Sequence, residues 1–190
     1  MPVWKDLSTL SRVEKYAAYG GVNSGDVNVP PDLPGTYIAA RFYFSECFPD
    51  TPANRAFVAS TVNTISEHTP VVLLNTPFAV DDHSDFNPSG GRVFSIGGRY
   101  MTPEQNLAVQ TAVIARASAF VGTYGGYSYL APFCGVPSLA FYSQRTFKDQ
   151  HLHVAQRAFD QLGGPTLVAI DVANLALVRL ALSHGGVPAP

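Results

Sequence analysis

From residue 37 onward, short apolar runs of strand length alternate with longer stretches whose apolar positions recur at helical spacing, and this alternation constrains the fold more than any other feature. The run Tyr37-Ile38-Ala39-Ala40-Arg41-Phe42-Tyr43-Phe44 predicts a first strand. Thr51-Pro52 then supplies an N-cap and a proline at the first helical position, and Phe57, Val58, Val62 and Ile65 carry a helix over about 52–67. Pro70 to Leu74 predicts a second strand, and Arg92 to Ile96 a third, stopped by Gly97-Gly98. Thr102-Pro103-Glu104-Gln105 has the spacing of a capping box and predicts a helix running to about Ser118. Ala119 to Gly122 is a fourth strand, Gly126 to Cys134 a short helix closed by Gly135, and Ser138 to Tyr142 a fifth strand. Pro132 is discordant within that helix, because it removes a backbone donor and should shorten the element. Leu152, Ala155, Phe159 and Leu162 line a further helix, Thr166 to Ile170 forms a sixth strand, and Asp171 caps a last helix. Strands joined at these lengths by helices are parallel, so the expected fold is α/β: a Rossmann-like parallel sheet of about six strands with helices on both faces.

Residues 1–36 read differently. Trp4, Leu7, Leu10 and Val13 mark one short amphipathic helix, and a Gly-, Asn- and Pro-rich stretch follows through Pro34-Gly35, so 1–36 is expected to be a linker and 37–190 the domain. A length of 190 residues suits one domain of this kind. Charged residues make up 14% of the chain against 46% hydrophobic, and the formal net charge is −2, which lacks the basic field of a nucleic-acid binder. So few charges, with 12% aromatics, suit a domain that packs against another. No apolar run approaches a membrane span and the first six residues do not form a leader, so a cytoplasmic location is expected. Cys47 and Cys134 are far apart and read as ordinary thiols.

In an open parallel sheet, ligands sit beyond the carboxyl ends of the strands, which directs attention to the loops after Phe44, Leu74, Ile96, Gly122, Tyr142 and Ile170. Gly122-Thr123-Tyr124-Gly125-Gly126-Tyr127-Ser128 carries the chain from strand to helix through two glycines, a geometry that lets backbone N–H groups approach an anion. The same glycines would also serve a turn with no ligand at all. The run from Ala119 to Pro137, with its strand, glycine turn, short helix and Gly135-Val136-Pro137, resembles the donor-site signature of GT-B-type glycosyltransferases.

That resemblance implies that the chain is one half of a GT-B fold, the C-terminal half that binds a nucleotide diphosphate sugar. It assigns Thr123, Tyr124, Gly125, Gly126, Tyr127 and Ser128 to the diphosphate. Asp149-Gln150 resembles the acidic-amide pair that holds sugar hydroxyls, with His151 beside it at a helix N-terminus. Many members carry a ribose-binding glutamate near the position of Leu130, and Leu130-Ala131 looks closer to the heptosyltransferase-like and fucosyltransferase-like branches, leaving the nucleotide open. Arg41 and Arg99 are candidates to complete a diphosphate clamp, since a guanidinium is a planar fork of donors that stays charged. Arg41, being within a strand, can equally face a sheet neighbour or a carboxylate. In the related enzymes the loop from Ile96 to Tyr100 passes the nucleobase.

The expected function is thus glycosyl transfer, of the kind used in polysaccharide biosynthesis, from a nucleotide sugar to an acceptor held by an N-terminal domain or separate subunit. No cofactor beyond the substrate is implied. No catalytic base is apparent, so the chain alone should transfer little sugar. His151 and His153 project to different helix faces, and the Asp81-Asp82-His83-Ser84-Asp85 cluster reads equally as a turn, so no metal is expected. The alternatives are a non-catalytic nucleotide or sugar-phosphate binding module and an epimerase-like domain, which shared architecture does not separate.

Overall fold

A computed structural model of the chain describes residues 18–23, 29–76, 84–98, 100–147 and 149–175, with Ser11 and Lys15. The elements in chain order are β1 (Ile38–Arg41), β2 (Tyr43–Phe44), α1 (Pro52–His68), β3 (Val71–Leu73), β4 (Ser84–Asp85), β5 (Val93–Ser95), α2 (Asn106–Ala115), β6 (Ala119–Thr123), α3 (Gly126–Phe133), β7 (Ser138–Tyr142), α4 (Asp149–Leu162) and β8 (Leu167–Asp171). Six of the strands form one sheet in the order β5-β3-β1-β6-β7-β8, every adjacent pair parallel. Numbered along the chain these strands run 3-2-1-4-5-6, the doubly wound order of Rossmann domains, in which strand order reverses between the first and fourth. Here that reversal falls between β1 and β6, where Arg41 lies opposite Gly122.

Burial on both faces explains why the strands read as unbroken apolar runs. On one face Ala40, Val71, Leu73, Val121 and Ala140 pack with Val58 and Val62 of α1 and Ala155 and Phe159 of α4. On the other, Ala39, Val72 and Phe120 pack with Val109 and Val113 of α2 and Ala131 of α3. Each fully buried Phe or Leu in these layers contributes roughly 2–3 kcal/mol of hydrophobic stabilisation.

Local signals account for the helix ends. Thr51 Oγ accepts from the Asn54 amide with Pro52 next in line, as its sequence predicts, and Asp171 Oδ1 accepts from the Ala173 amide at the start of a helical stretch over 172–175. Pro132 lies one residue before the end of α3, which runs only from Gly126 to Phe133. Two expectations are corrected. The capping box at Thr102–Gln105 does not form: α2 starts at Asn106 with no side-chain cap, and the Thr102 carbonyl instead accepts the amides of Gln105 and Asn106. The run from Tyr37 to Phe44 is not one strand: it divides after Arg41, and Tyr43–Phe44 pairs antiparallel with Ser84–Asp85 in a separate two-stranded sheet. The cause lies in Thr123, whose hydroxyl accepts the Tyr43 amide and donates to the Tyr43 carbonyl, standing in for the strand neighbour that β6 no longer offers. The helix expected around Trp4, Leu7, Leu10 and Val13, Arg99, and residues 81–83 lie outside the described residues. Among the described residues, no helix is long and apolar enough to cross a membrane.

Candidate functional site

The strand-to-helix turn between β6 and α3 stands at the point of strand reversal. Its conformation is set from inside the protein. The Tyr124 carbonyl accepts hydrogen bonds from Tyr43 Oη at 3.5 Å and from Cys47 Sγ at 3.6 Å. Ser128 Oγ accepts from the Gly125 amide at 3.1 Å and donates to the Gly125 carbonyl at 2.7 Å. Gly125 is extended (φ 162°), so no backbone strain selects glycine there. Close approach does: a Cβ at that position would lie 1.8 Å from Tyr43 Oη. Gly126 differs, being exposed with nothing within 4 Å of a Cβ built on it. As the first residue of α3 it carries an amide that no carbonyl within the helix can accept, at the positive end of the helix dipole.

Arg41, at the end of β1, is buried and clamped. Its Nε and Nη2 donate to the two carboxylate oxygens of Asp85, at 3.1 and 3.4 Å, and Asp85 also accepts from the Thr76 amide at 3.3 Å. The guanidinium lies over the ring of Tyr127, 4.5 Å from its centre, in cation–π contact. Tyr127 Oη donates to Oε1 of the fully buried Gln110, and Gln110 Nε2 donates to the Leu74 carbonyl at the end of β3.

Beside the turn opens a cavity of about 570 Å³ lined by Tyr43, Ser45, Glu46, Cys47, Tyr124, Gly125, Tyr129, Thr146, Phe147 and His151. Its walls are tied together. The Ser45 and Phe48 backbones exchange two hydrogen bonds, and the Cys47 carbonyl accepts the amides of Ser143 and Gln144, joining the loop after β2 to the loop after β7. Asn54 of α1 reinforces the link, donating to the Pro49 carbonyl and to Ser143 Oγ. Tyr124 packs on Phe147, with ring centres 4.1 Å apart, and shares a hydrogen bond with the Tyr129 hydroxyl. Burial first, then that hydrogen bond, pushes the Tyr124 phenol far above its ordinary range, and burial also raises Tyr129. Both phenols are therefore neutral near pH 7, which leaves Glu46, Cys47 and His151 as the other ionisable side chains on the wall.

The structure distributes the residues singled out by sequence as follows. Tyr124, Gly125 and His151 line the cavity; Gly126 and Tyr127 start the adjoining helix. The hydroxyls of Thr123 and Ser128 are buried and spent within the fold, and Arg41 is held by Asp85. Asp149 is paired with Arg145 through two hydrogen bonds of 3.1 and 2.7 Å, and neither it nor Gln150 is on the cavity wall. Besides Tyr43 of β2 and Tyr129 of α3, sequence reasoning missed Ser45, Glu46, Cys47, Thr146 and Phe147. They fall in loops after β2 and β7, where strand-end position was a signal but residue type was not. Among the described residues, no group of His, Cys, Asp and Glu could hold a metal ion. Cys134 is a free thiol whose pKa burial raises, which suits a packing role.

No family model and no curated protein matches the chain. It is similar to the crystal structure of the glycotransferase of kitacinnamycin, at 17% sequence identity and a TM-score of 0.45, over 85% of this chain and 39% of that one. The chain thus spans well under half of that protein, and so loose a likeness leaves function to be argued from the site alone.

Proposed function

We propose that this chain is the donor-binding half of a GT-B-type glycosyltransferase and binds a nucleotide diphosphate sugar at the strand reversal between β1 and β6. The observation that carries the reading is Gly126: an exposed glycine with open space before it, first in a helix at the reversal point, beside a cavity of sugar-accommodating size. The diphosphate sits against the amides of Gly126 and Tyr127, where helix-end N–H groups and the dipole favour negative charge. The sugar occupies the cavity, its faces on Tyr124, Tyr129 and Phe147 and its hydroxyls toward Glu46, Thr146 and His151. Arg41, Thr123, Tyr124, Gly125 and Ser128 shape this cradle, Arg99 is a further candidate for the diphosphate, and Asp149-Gln150, off the cavity wall, stands next to His151 at the start of α4. Among the described residues the cavity wall has no lysine or arginine, which suits an uncharged sugar and an anion held outside it, at the helix end. The nucleotide departs with its charge stabilised by the helix terminus, and the acceptor comes from another domain or subunit.

The test is a thermal-shift screen against UDP, GDP, ADP and CMP and their sugar conjugates. A ligand at about one hundred times its Kd adds about 2.7 kcal/mol of apparent stability. Selective stabilisation by one nucleotide, abolished by Gly126→Trp with the unliganded melting point unchanged, is the expected result. Equal, negligible shifts with all of them, in this chain and when it is joined to its acceptor domain, would overturn the reading.

A further inference from the structure

Gln110 is a polar side chain with no exposed surface in the middle of α2, a place where an apolar residue would pack at lower desolvation cost. Both ends of its amide are used. Nε2 donates to the Leu74 carbonyl, where β3 ends, and Oε1 accepts from Tyr127 Oη, in the first turn of α3. Tyr127 in turn presents its ring to the Arg41 guanidinium at 4.5 Å, and Arg41 is fixed by Asp85 of β4. A chain of contacts therefore runs from the carboxyl end of β3 through α2 to the helix start that faces the strand reversal, and on to β1 and β4.

We infer that Gln110 is a positioning residue for anion binding, holding Tyr127 on Arg41 and so fixing the direction in which the Gly126 and Tyr127 amides point. The inference rests on the diphosphate reading above. A hydrogen bond at each end of a planar amide leaves the Tyr127 ring one orientation, and the stacked guanidinium opposes rotation from the other side. Beyond that chain, Ser128 closes the turn on itself and Tyr129 ties it to Tyr124, but neither contact relates it to Arg41 and β3. The Arg41 charge, already neutralised by Asp85, acts here through the Tyr127 ring and not as a ligand of the anion.

The experiment titrates the full chain with inorganic pyrophosphate by calorimetry and records the Arg41 Nε–H resonance, which the Tyr127 ring face shifts. Gln110→Leu keeps the volume and removes both hydrogen bonds. Tyr127→Phe keeps the ring and removes the hydroxyl that bonds Gln110, guarding against a Gln110→Leu protein that does not fold. Both variants are expected to bind pyrophosphate at least fivefold more weakly and to move the Arg41 resonance, with Gly126→Trp affecting binding but not the resonance. Wild-type binding that Gln110→Leu and Tyr127→Phe leave intact overturns the positioning role and spares the diphosphate reading. A wild type that binds neither pyrophosphate nor any nucleoside diphosphate, alone or joined to its acceptor domain, overturns both.

Discussion

Replacing Gly125 by alanine isolates how the glycine turn is built. The backbone there is extended, so alanine meets no conformational penalty, and the effect is steric. The new methyl lies 1.8 Å from Tyr43 Oη and 3.1 Å from Cζ. A carbon–oxygen contact needs a little over 3 Å, so the hydroxyl must retreat by roughly 1.5 Å. Tyr43 is 8% exposed and its backbone is pinned on both sides by Thr123, so retreat means leaving a packed position. Overpacking of this kind costs about 1–3 kcal/mol, and loss of the long bond from Tyr43 to the Tyr124 carbonyl adds about 0.5. We expect Gly125→Ala to be destabilised by about 2–3 kcal/mol. Tyr43→Phe alone removes that long bond, about 0.5 kcal/mol. Combined, the severe contact disappears and the tight one to Cζ remains, so the double variant should recover about half of the alanine penalty, a coupling of about 1–2 kcal/mol. Urea unfolding followed by circular dichroism on the four proteins measures it. A cycle additive to within about 0.5 kcal/mol would show that the turn is not held against Tyr43, and the account of Gly125 would fail.

Asp85→Asn leaves the Arg41 guanidinium buried without its counter-charge, and about 3–5 kcal/mol of stability should be lost in the same denaturation assay; a loss below 1 kcal/mol would mean that Arg41 is solvated in solution. Gly122→Ala sets a methyl 2.1 Å from the Arg41 carbonyl, a backbone atom of the paired strand that cannot swing aside, and should cost about 3 kcal/mol by thermal melting. Burial pushes the Tyr37 phenol from 10.0 up to about 12, against the opposing charge of Arg116, while its hydroxyl donates to the Val113 carbonyl. The folded protein therefore keeps this proton more tightly than the unfolded chain. The resulting stability is complete below pH 10 and lost as pH rises through about 12, and Tyr37→Phe should flatten the fall in melting temperature over that window.

The fold was largely legible because its signals are local. Val71, Val72 and Leu73 read as a strand since both faces of the sheet are covered, and Thr51-Pro52 announces α1 before any tertiary contact forms. What escaped are the pairings made across distance. Nothing near Arg41 marks Asp85, forty-four residues on, as its partner, and nothing near Phe42 shows that Thr123 will take over the hydrogen bonds of Tyr43 and break the run in two. At Thr102 a local pattern misled, because no side chain caps the amides at the start of α2, and the Thr102 carbonyl takes the Gln105 and Asn106 amides in a turn.

The glycine turn carries the same lesson into function. Short polar residues beside glycines suggest phosphate ligands when read along the chain, yet Thr123 and Ser128 direct their hydroxyls inward, to Tyr43 and Gly125. A turn that exposes backbone amides must first satisfy its remaining polar groups, since each one buried without a partner costs about 1–3 kcal/mol. The side chains best able to bind an anion are therefore recruited to hold the turn open, and on the proposed reading anion binding falls to the Gly126 and Tyr127 amides. Gly126 is where that competition leaves room: exposed, unobstructed and first in its helix. Its substitution should accordingly cost little stability and most of the affinity, the reverse of what Gly122 and Gly125 predict.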